Sequence, residues 1–172
     1  MKRNRLGIVI TCALLTCSLP LVAEVPATQG SGNTKEAKLT FEQIRKAADQ
    51  GDAPAQCLLG EMYATGKGVP RDAQQAVMWF RKAADQGNAW AQYNLGLMYD
   101  KGESVTHDAP QAVMWYRKAA DQGFAQAQYN LGVMYAKGKG VAKDAQQAVM
   151  WFRKAADQGF AEAQYKLGRD VR

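Results

Sequence analysis

Residues 121–156 read DQGFAQAQYNLGVMYAKGKGVAKDAQQAVMWFRKAA, and residues 85–120 read almost the same string, with 26 of 36 positions identical. The Asp-Gln-Gly triplet that opens each copy recurs at Asp49, Asp85, Asp121 and Asp157, a period of 36 residues. Self-similarity at such a period marks a solenoid, because one unit of this size cannot bury its apolar face alone and must stack on its neighbours. Within the middle copy the pattern predicts a first helix over roughly Ala89–Lys101 and a second over roughly Ala109–Gln122. Asp72, Asp108 and Asp144 each precede an Ala, with Gln75, Gln111 and Gln147 three residues on, which is the spacing of a capping box. Pro110 falls in a first helical turn, where no hydrogen bond is lost. Gly87, Gly123 and Gly159 stand where a second helix must end in a left-handed residue. No period-two alternation occurs, so strands are not expected.

The packing positions are legible by comparing copies. Ala76, Phe80 and Ala83 share one face of a second helix and recur as Ala112, Tyr116, Ala119 and as Ala148, Phe152, Ala155. Leu59, Gly60 and Tyr63 recur in the first helices as Leu95, Gly96, Tyr99 and as Leu131, Gly132, Tyr135. A mid-helix glycine costs about 1 kcal/mol relative to Ala. Its recurrence predicts that a neighbouring helix needs the space. The order Leu-Gly-x-x-Tyr, then Ala-x-x-x-Phe-x-x-Ala, follows the tetratricopeptide pattern.

The stretch Ala127–Ala156, with the Gly66-Lys67-Gly68-Val69 loop and Trp79-Phe80-Arg81-Lys82-Ala83-Ala84, resembles the Sel1-like repeat family, a longer-looped relative of the tetratricopeptide repeat. The resemblance covers residues 40–172. It implies an all-α, right-handed α/α solenoid of about eight helices, and adaptor, regulatory or host-interaction work in bacterial envelopes. Full repeats are expected at about 52–87, 88–123 and 124–159, with half-repeat caps at either end of an array spanning 39–172. Residues 36–48 align with a second helix in which Glu42 and Gln43 replace the Met and Trp of the other copies. After Asp157 a first helix begins, and Asp170 and Arg172 interrupt its apolar pattern. Polar substitution on terminal repeats keeps a solenoid's core from solvent, so the array reads as capped at both ends. Ser104 departs from the pattern, standing where the other copies have Gly68 and Gly140, and predicts a different course for the second inter-helix loop.

The N-terminus reads as an address. Lys2, Arg3 and Arg5 precede the apolar run Leu6–Leu19, and Leu21-Val22-Ala23 offers a cut site, so residues 1–23 are expected to be a secretory signal peptide. Leu14-Leu15-Thr16-Cys17 resembles a lipoprotein box with an unfavourable Thr before the cysteine. Residues 24–38 are small, polar and aperiodic, a flexible linker. Periplasmic or envelope-associated export follows, with secretion as the alternative. Of the three cysteines, Cys12 and Cys17 lie in the signal, and Cys57 takes the place of Tyr93, Tyr129 and Tyr165, a packing variant.

The whole chain carries +6, but from residue 24 onward 19 basic residues face 16 acidic ones. That surplus is too mild to suggest nucleic acid. One histidine, His107 in the irregular second loop, excludes multi-His metal sites and most His-based catalysis. No Gly-x-Ser-x-Gly, His-Glu-x-x-His or phosphate-cradling glycine motif occurs, so no enzyme, metal or cofactor is expected. Cysteine-rich relatives of this architecture have been associated with β-lactam binding or hydrolysis, but this chain lacks their cysteine pairs.

A site is found where the copies differ. In the first helices these positions are Pro54/Trp90/Gln126/Glu162, Leu58/Asn94/Asn130/Lys166, Glu61/Leu97/Val133/Arg169 and Thr65/Lys101/Lys137. Their spacing of four, three and four residues puts them on one helix face. In the architecture this chain resembles, the first helices line the concave side. The stripe Leu58, Glu61, Trp90, Asn94, Leu97, Lys101, Gln126, Asn130, Val133 and Lys137 is therefore expected to bind a protein or peptide. Trp90 and Leu97 would anchor it, and Asn94 and Asn130 would pair with an extended backbone. The chain is expected to be monomeric. Plain solvated surface is the competing reading of such a mixed stripe. A second surface is the Arg-Lys ladder at 45–46, 81–82, 117–118 and 153–154. It is read first as complementing helix C-terminal dipoles, with Asp85, Asp121 and Asp157 nearby, and alternatively as a polyanion site. Trp79, Trp115 and Trp151 are expected in the core rather than on a carbohydrate platform.

Overall fold

The computed structural model describes residues 40–170, so the expected signal peptide and linker lie outside the described residues. Eight helices and no strand occur among them: α1 (Phe41–Asp49), α2 (Ala53–Thr65), α3 (Ala73–Asp85), α4 (Ala89–Lys101), α5 (Ala109–Asp121), α6 (Ala125–Lys137), α7 (Ala145–Asp157) and α8 (Ala161–Asp170). Each helix packs chiefly on the helices before and after it in sequence. That one-dimensional contact pattern defines an all-α solenoid.

The helix starts are set by side-chain oxygens. Asp72, Asp108 and Asp144 accept from the N–H of Gln75, Gln111 and Gln147 at 3.0, 2.9 and 3.0 Å. The reciprocal box forms instead at Thr40 and Gln43, where backbone and side chain exchange both bonds. Phe124 provides no side-chain cap for α6, where Asp52 and Asn88 cap the equivalent α2 and α4.

The repeated positions form the core. Phe80, Tyr116 and Phe152 are buried on their second helices, with Ala76, Ala83, Ala112, Ala119, Ala148 and Ala155 beside them. Their rings lie over the mid-helix glycines: a Cβ built on Gly60, Gly96 or Gly132 meets the facing ring at 2.8, 2.5 and 2.7 Å. The space inferred from the recurring glycine is therefore filled by an aromatic side chain. Trp79, Trp115 and Trp151 are buried as expected, and so is Cys57. Each indole carries a lysine ammonium over its face, Lys82, Lys118 and Lys154 at 4.0, 4.2 and 4.2 Å from the ring centroid.

A glutamine ladder joins the units. Gln56, Gln92 and Gln128 are buried in the first helices. Each donates from Nε2 to the carbonyl of Ala48, Ala84 or Ala120 in the preceding second helix, at 3.0, 3.0 and 3.1 Å. Each accepts from Gln86, Gln122 or Gln158, just past the following second helix, at 2.7, 2.7 and 2.8 Å. One amide thus bridges the ends of two successive second helices, adding a second donor to a carbonyl that also accepts from the N–H of Gly51, Gly87 or Gly123.

The second loop does not take a different course. Ser104 has φ +69°, as do Gly68 at +78° and Gly140 at +69°. The left-handed conformation is retained because the loop is closed at both ends by helices in the same register. A serine there carries the Cβ penalty of that region. Ser104→Gly is expected to raise stability by about 0.5–1 kcal/mol, read as a higher melting temperature. A lower one would show that the serine has a compensating contact.

Candidate partner-binding surface

The first helices carry apolar side chains around most of their circumference, because each is packed between two second helices. The predicted positions are among those left partly open. Leu58 and Glu61 on α2, Trp90, Asn94 and Leu97 on α4, and Gln126, Asn130 and Val133 on α6 are all half-buried, while Lys101 and Lys137 are exposed at the helix ends. The predicted positions therefore recur on three successive first helices.

Their chemistry is unequal. Leu58, Leu97 and Val133 pack against the core clusters beneath them. Trp90 does not stand in solvent: its ring meets Tyr93 at 5.8 Å and Phe124 edge-on at 5.5 Å, and it packs on the core. The reason is Phe124, which replaces the Asn88 and Asp52 of the earlier copies and brings an aromatic face into reach. Asn94 turns back on its own helix and donates to the Trp90 carbonyl at 2.9 Å. Asn130 instead acts on the Tyr93 phenol of the preceding unit, favouring its ionised form. Lys101 faces Glu103 at 3.8 Å, both well exposed.

Four further residues lie at or beneath these positions and were missed by the sequence comparison. Two are Tyr93, half-buried, and Tyr116, fully buried. Burial pushes both phenols above the ordinary value of 10.0, an effect that the Asn130 amide partly offsets. For Tyr116 the Asp100 carboxylate, and then Tyr93, add to it. The Tyr116 hydroxyl has no hydrogen bond of good geometry, although Asn130 lies close enough to influence it. Asp100 accepts an ion pair from Lys139 of the next loop. The signal was present in the copies: Tyr116 replaces Phe80 and Phe152, and Asp100 replaces Ala64 and Ala136. Phe124 is the fourth.

The Arg-Lys ladder divides. Arg81 and Arg117 turn inward and donate to the hydroxyls of Tyr99 and Tyr135 in the next first helix. The lysines lie outward over the tryptophans. Of the four Arg–Asp pairs only Arg45–Asp49 comes within ion-pair distance among the described residues, at 3.9 Å and exposed. Two of the ladder's four arginines are thus inter-repeat ties. His107 is exposed in its loop. No cluster of three metal-ligating side chains occurs among the described residues, and no helix there is long and apolar enough to cross a membrane.

Helix pairs of one length, stacked in one register, define a helical repeat protein. The chain belongs to the Sel1 repeat family: the Sel1 repeat matches residues 53–88, 91–124, 125–160 and 161–171. It is similar to a protective antigen present in uropathogenic Escherichia coli strains displaying an SLR fold, at 48% identity and TM-score 0.74 over 76% of this chain. The chain spans 28% of the length of that antigen. A Sel1 repeat protein from Oxalobacter formigenes is 41% identical at TM-score 0.71, over 75% of this chain and 97% of that one. Cysteine rich protein B of Helicobacter pylori is 28% identical at TM-score 0.56, over 72% and 95%. No curated protein matches the chain. Sel1 repeat proteins generally act as non-enzymatic protein-interaction scaffolds.

Proposed function

We propose that this chain is a protein- or peptide-binding scaffold of the bacterial cell envelope, and that its partner lies across the first-helix strip. The observation that carries this reading is the contrast within each unit. Most packing side chains repeat, with Cys57 for Tyr and Tyr116 for Phe as exceptions, while the half-open positions change from copy to copy, from Leu58 and Glu61 to Trp90, Asn94 and Leu97 and then to Gln126, Asn130 and Val133. The basic and apolar N-terminal segment supports export. The inward turn of Arg81 and Arg117 counts against a polyanion surface, since it removes two of the ladder's cations from solvent.

The test must spare the core, so Trp90 and Leu97, which pack on it, are left intact. A variant carrying Asn94→Ala, Lys101→Ala, Gln126→Ala and Lys137→Ala is compared with one carrying Met78→Gln, Met114→Gln and Met150→Gln on the exposed side of the second helices. The tagged protein is used to capture partners from an envelope extract. The strip variant is expected to keep its helical circular dichroism and lose a partner that the methionine variant retains. Loss by the methionine variant alone would move the site to the second helices.

A further inference from the structure

Every full unit carries one methionine in each of its helices: Met62 and Met78, Met98 and Met114, Met134 and Met150. The two sets have opposite surroundings. In the first helices Met134 is 2% exposed, and Met62 and Met98 are half-buried against the core clusters. In the second helices Met78, Met114 and Met150 are 38%, 37% and 38% exposed and belong to no core cluster. The repeat thus sets a row of thioethers in solvent at one register. The half unit at α1 has Glu42 at the corresponding position.

A thioether sulfur is soft and nucleophilic, and its accessibility sets how fast a peroxide reaches it. Oxidation inside a core turns an apolar side chain polar and disrupts packing. At Met78, Met114 and Met150 the product stands in water, with a cation at hand. Lys82, Lys118 and Lys154 follow these methionines by four residues and so neighbour them on the helix surface. These lysines are exposed and make no ion pair among the described residues. Their ammonium groups rest over Trp79, Trp115 and Trp151, each the residue after a methionine, at 4.0, 4.2 and 4.2 Å from the ring centroids. A thioether is a weak hydrogen-bond acceptor, whereas a sulfoxide oxygen is a strong one that an ammonium group readily meets.

We propose that Met78, Met114 and Met150 form a site of reversible oxidation by peroxides, in which each sulfoxide oxygen accepts a hydrogen bond from the lysine one turn on and the scaffold stays folded. The sulfur lone pair attacks one peroxide oxygen as the O–O bond breaks. The sulfur is oxidised and gains that oxygen, and the other oxygen leaves as water carrying both protons. Methionine sulfoxide reductases reverse the step, with thiols supplying the electrons and leaving as a disulfide while the oxygen departs as water. The site goes beyond the scaffold reading and does not depend on the first-helix positions.

The purified full chain is treated with dilute hydrogen peroxide, and each methionine is followed over time by peptide mass spectrometry. Met78, Met114 and Met150 are expected to gain one oxygen each at least about fivefold faster than Met62, Met98 and Met134. The protein oxidised at these sites should keep its helical circular dichroism and melting temperature, and the reductases should return it to its starting mass. As each lysine moves from indole to sulfoxide, tryptophan fluorescence should change. A variant carrying Met78→Leu, Met114→Leu and Met150→Leu should show no such change at the same dose. One carrying Lys82→Ala, Lys118→Ala and Lys154→Ala should oxidise at the same methionines without it. Comparable rates in the two sets of methionines, or a loss of helical signal or melting temperature on oxidation, would overturn the site. Unchanged fluorescence in the oxidised wild type, or the same change in the lysine variant, would overturn the role given to the lysines.

Discussion

Gly96→Ala is expected to destabilise the protein by about 2 kcal/mol, although the same change in an isolated helix gains about 1 kcal/mol. The added Cβ would stand 2.5 Å from Cδ1 and 2.6 Å from Cε1 of Tyr116. That ring is fully buried between α4 and its neighbours and has no solvent side to move into. Relief requires an off-rotamer tyrosine or a shift of α5, each of which disturbs the next seam, and overpacking of this kind typically costs about 1–3 kcal/mol. A fall in melting temperature of roughly 5–10 °C is the expected reading. Gly168 supplies the control. It is the corresponding glycine of α8, and nothing lies within 4 Å of a Cβ built there. Gly168→Ala should therefore raise stability by up to about 1 kcal/mol. A Gly96→Ala protein that melts at or above wild type would show that the helix pair is loosely packed and would remove the reason given for the recurring glycine.

Gln92→Ala is expected to cost about 2–4 kcal/mol, while Gln122→Ala costs about 1 kcal/mol or less. The two residues share a hydrogen bond, so the difference isolates burial. Gln92 is 4% exposed, and it alone satisfies the Ala84 carbonyl with a side chain while holding Gln122. Its loss leaves a cavity and removes one donor from the Ala84 carbonyl, which keeps the Gly87 N–H at 3.0 Å. Gln122 is exposed, and water replaces what it loses. Because the amide bridges the ends of α3 and α5, its removal also weakens coupling between units. Urea denaturation should show a lower midpoint and a broader transition for Gln92→Ala. Equal midpoints for the two variants would mean that the ladder is a surface feature.

Much of the scaffold was legible from repetition alone. The bounds predicted for α4 are those observed, because Asn88 and the Gly102 turn delimit the apolar pattern from both sides. The mid-helix glycines were correctly read as receiving a neighbour, since a residue unfavourable in a helix recurs only where space is needed. The reading was weaker wherever a side chain had a choice of direction. Arg81 and Asp85 are close in sequence, but the guanidinium found a tyrosine hydroxyl eighteen residues ahead instead. The burial of Gln56, Gln92 and Gln128 was not read at all, because nothing local shows that their amides bridge two neighbouring helix ends. Trp90 looked solvent-facing because the ring that covers it, Phe124, lies on the next unit.

By itself, then, the sequence determined that this is a two-helix repeat with a 36-residue period, where its helices begin and end, and which residues pack. Those properties follow from local hydrogen bonding and from periodic apolar spacing, and both are written within a single unit. Only the tertiary structure decided which side chain of each unit answers which group of the next. It set Gln92 under Ala84 and Arg81 on Tyr99, while leaving Asn94 on its own helix. Those choices depend on how far one unit is displaced from another, a distance that stacking sets and no stretch of sequence states.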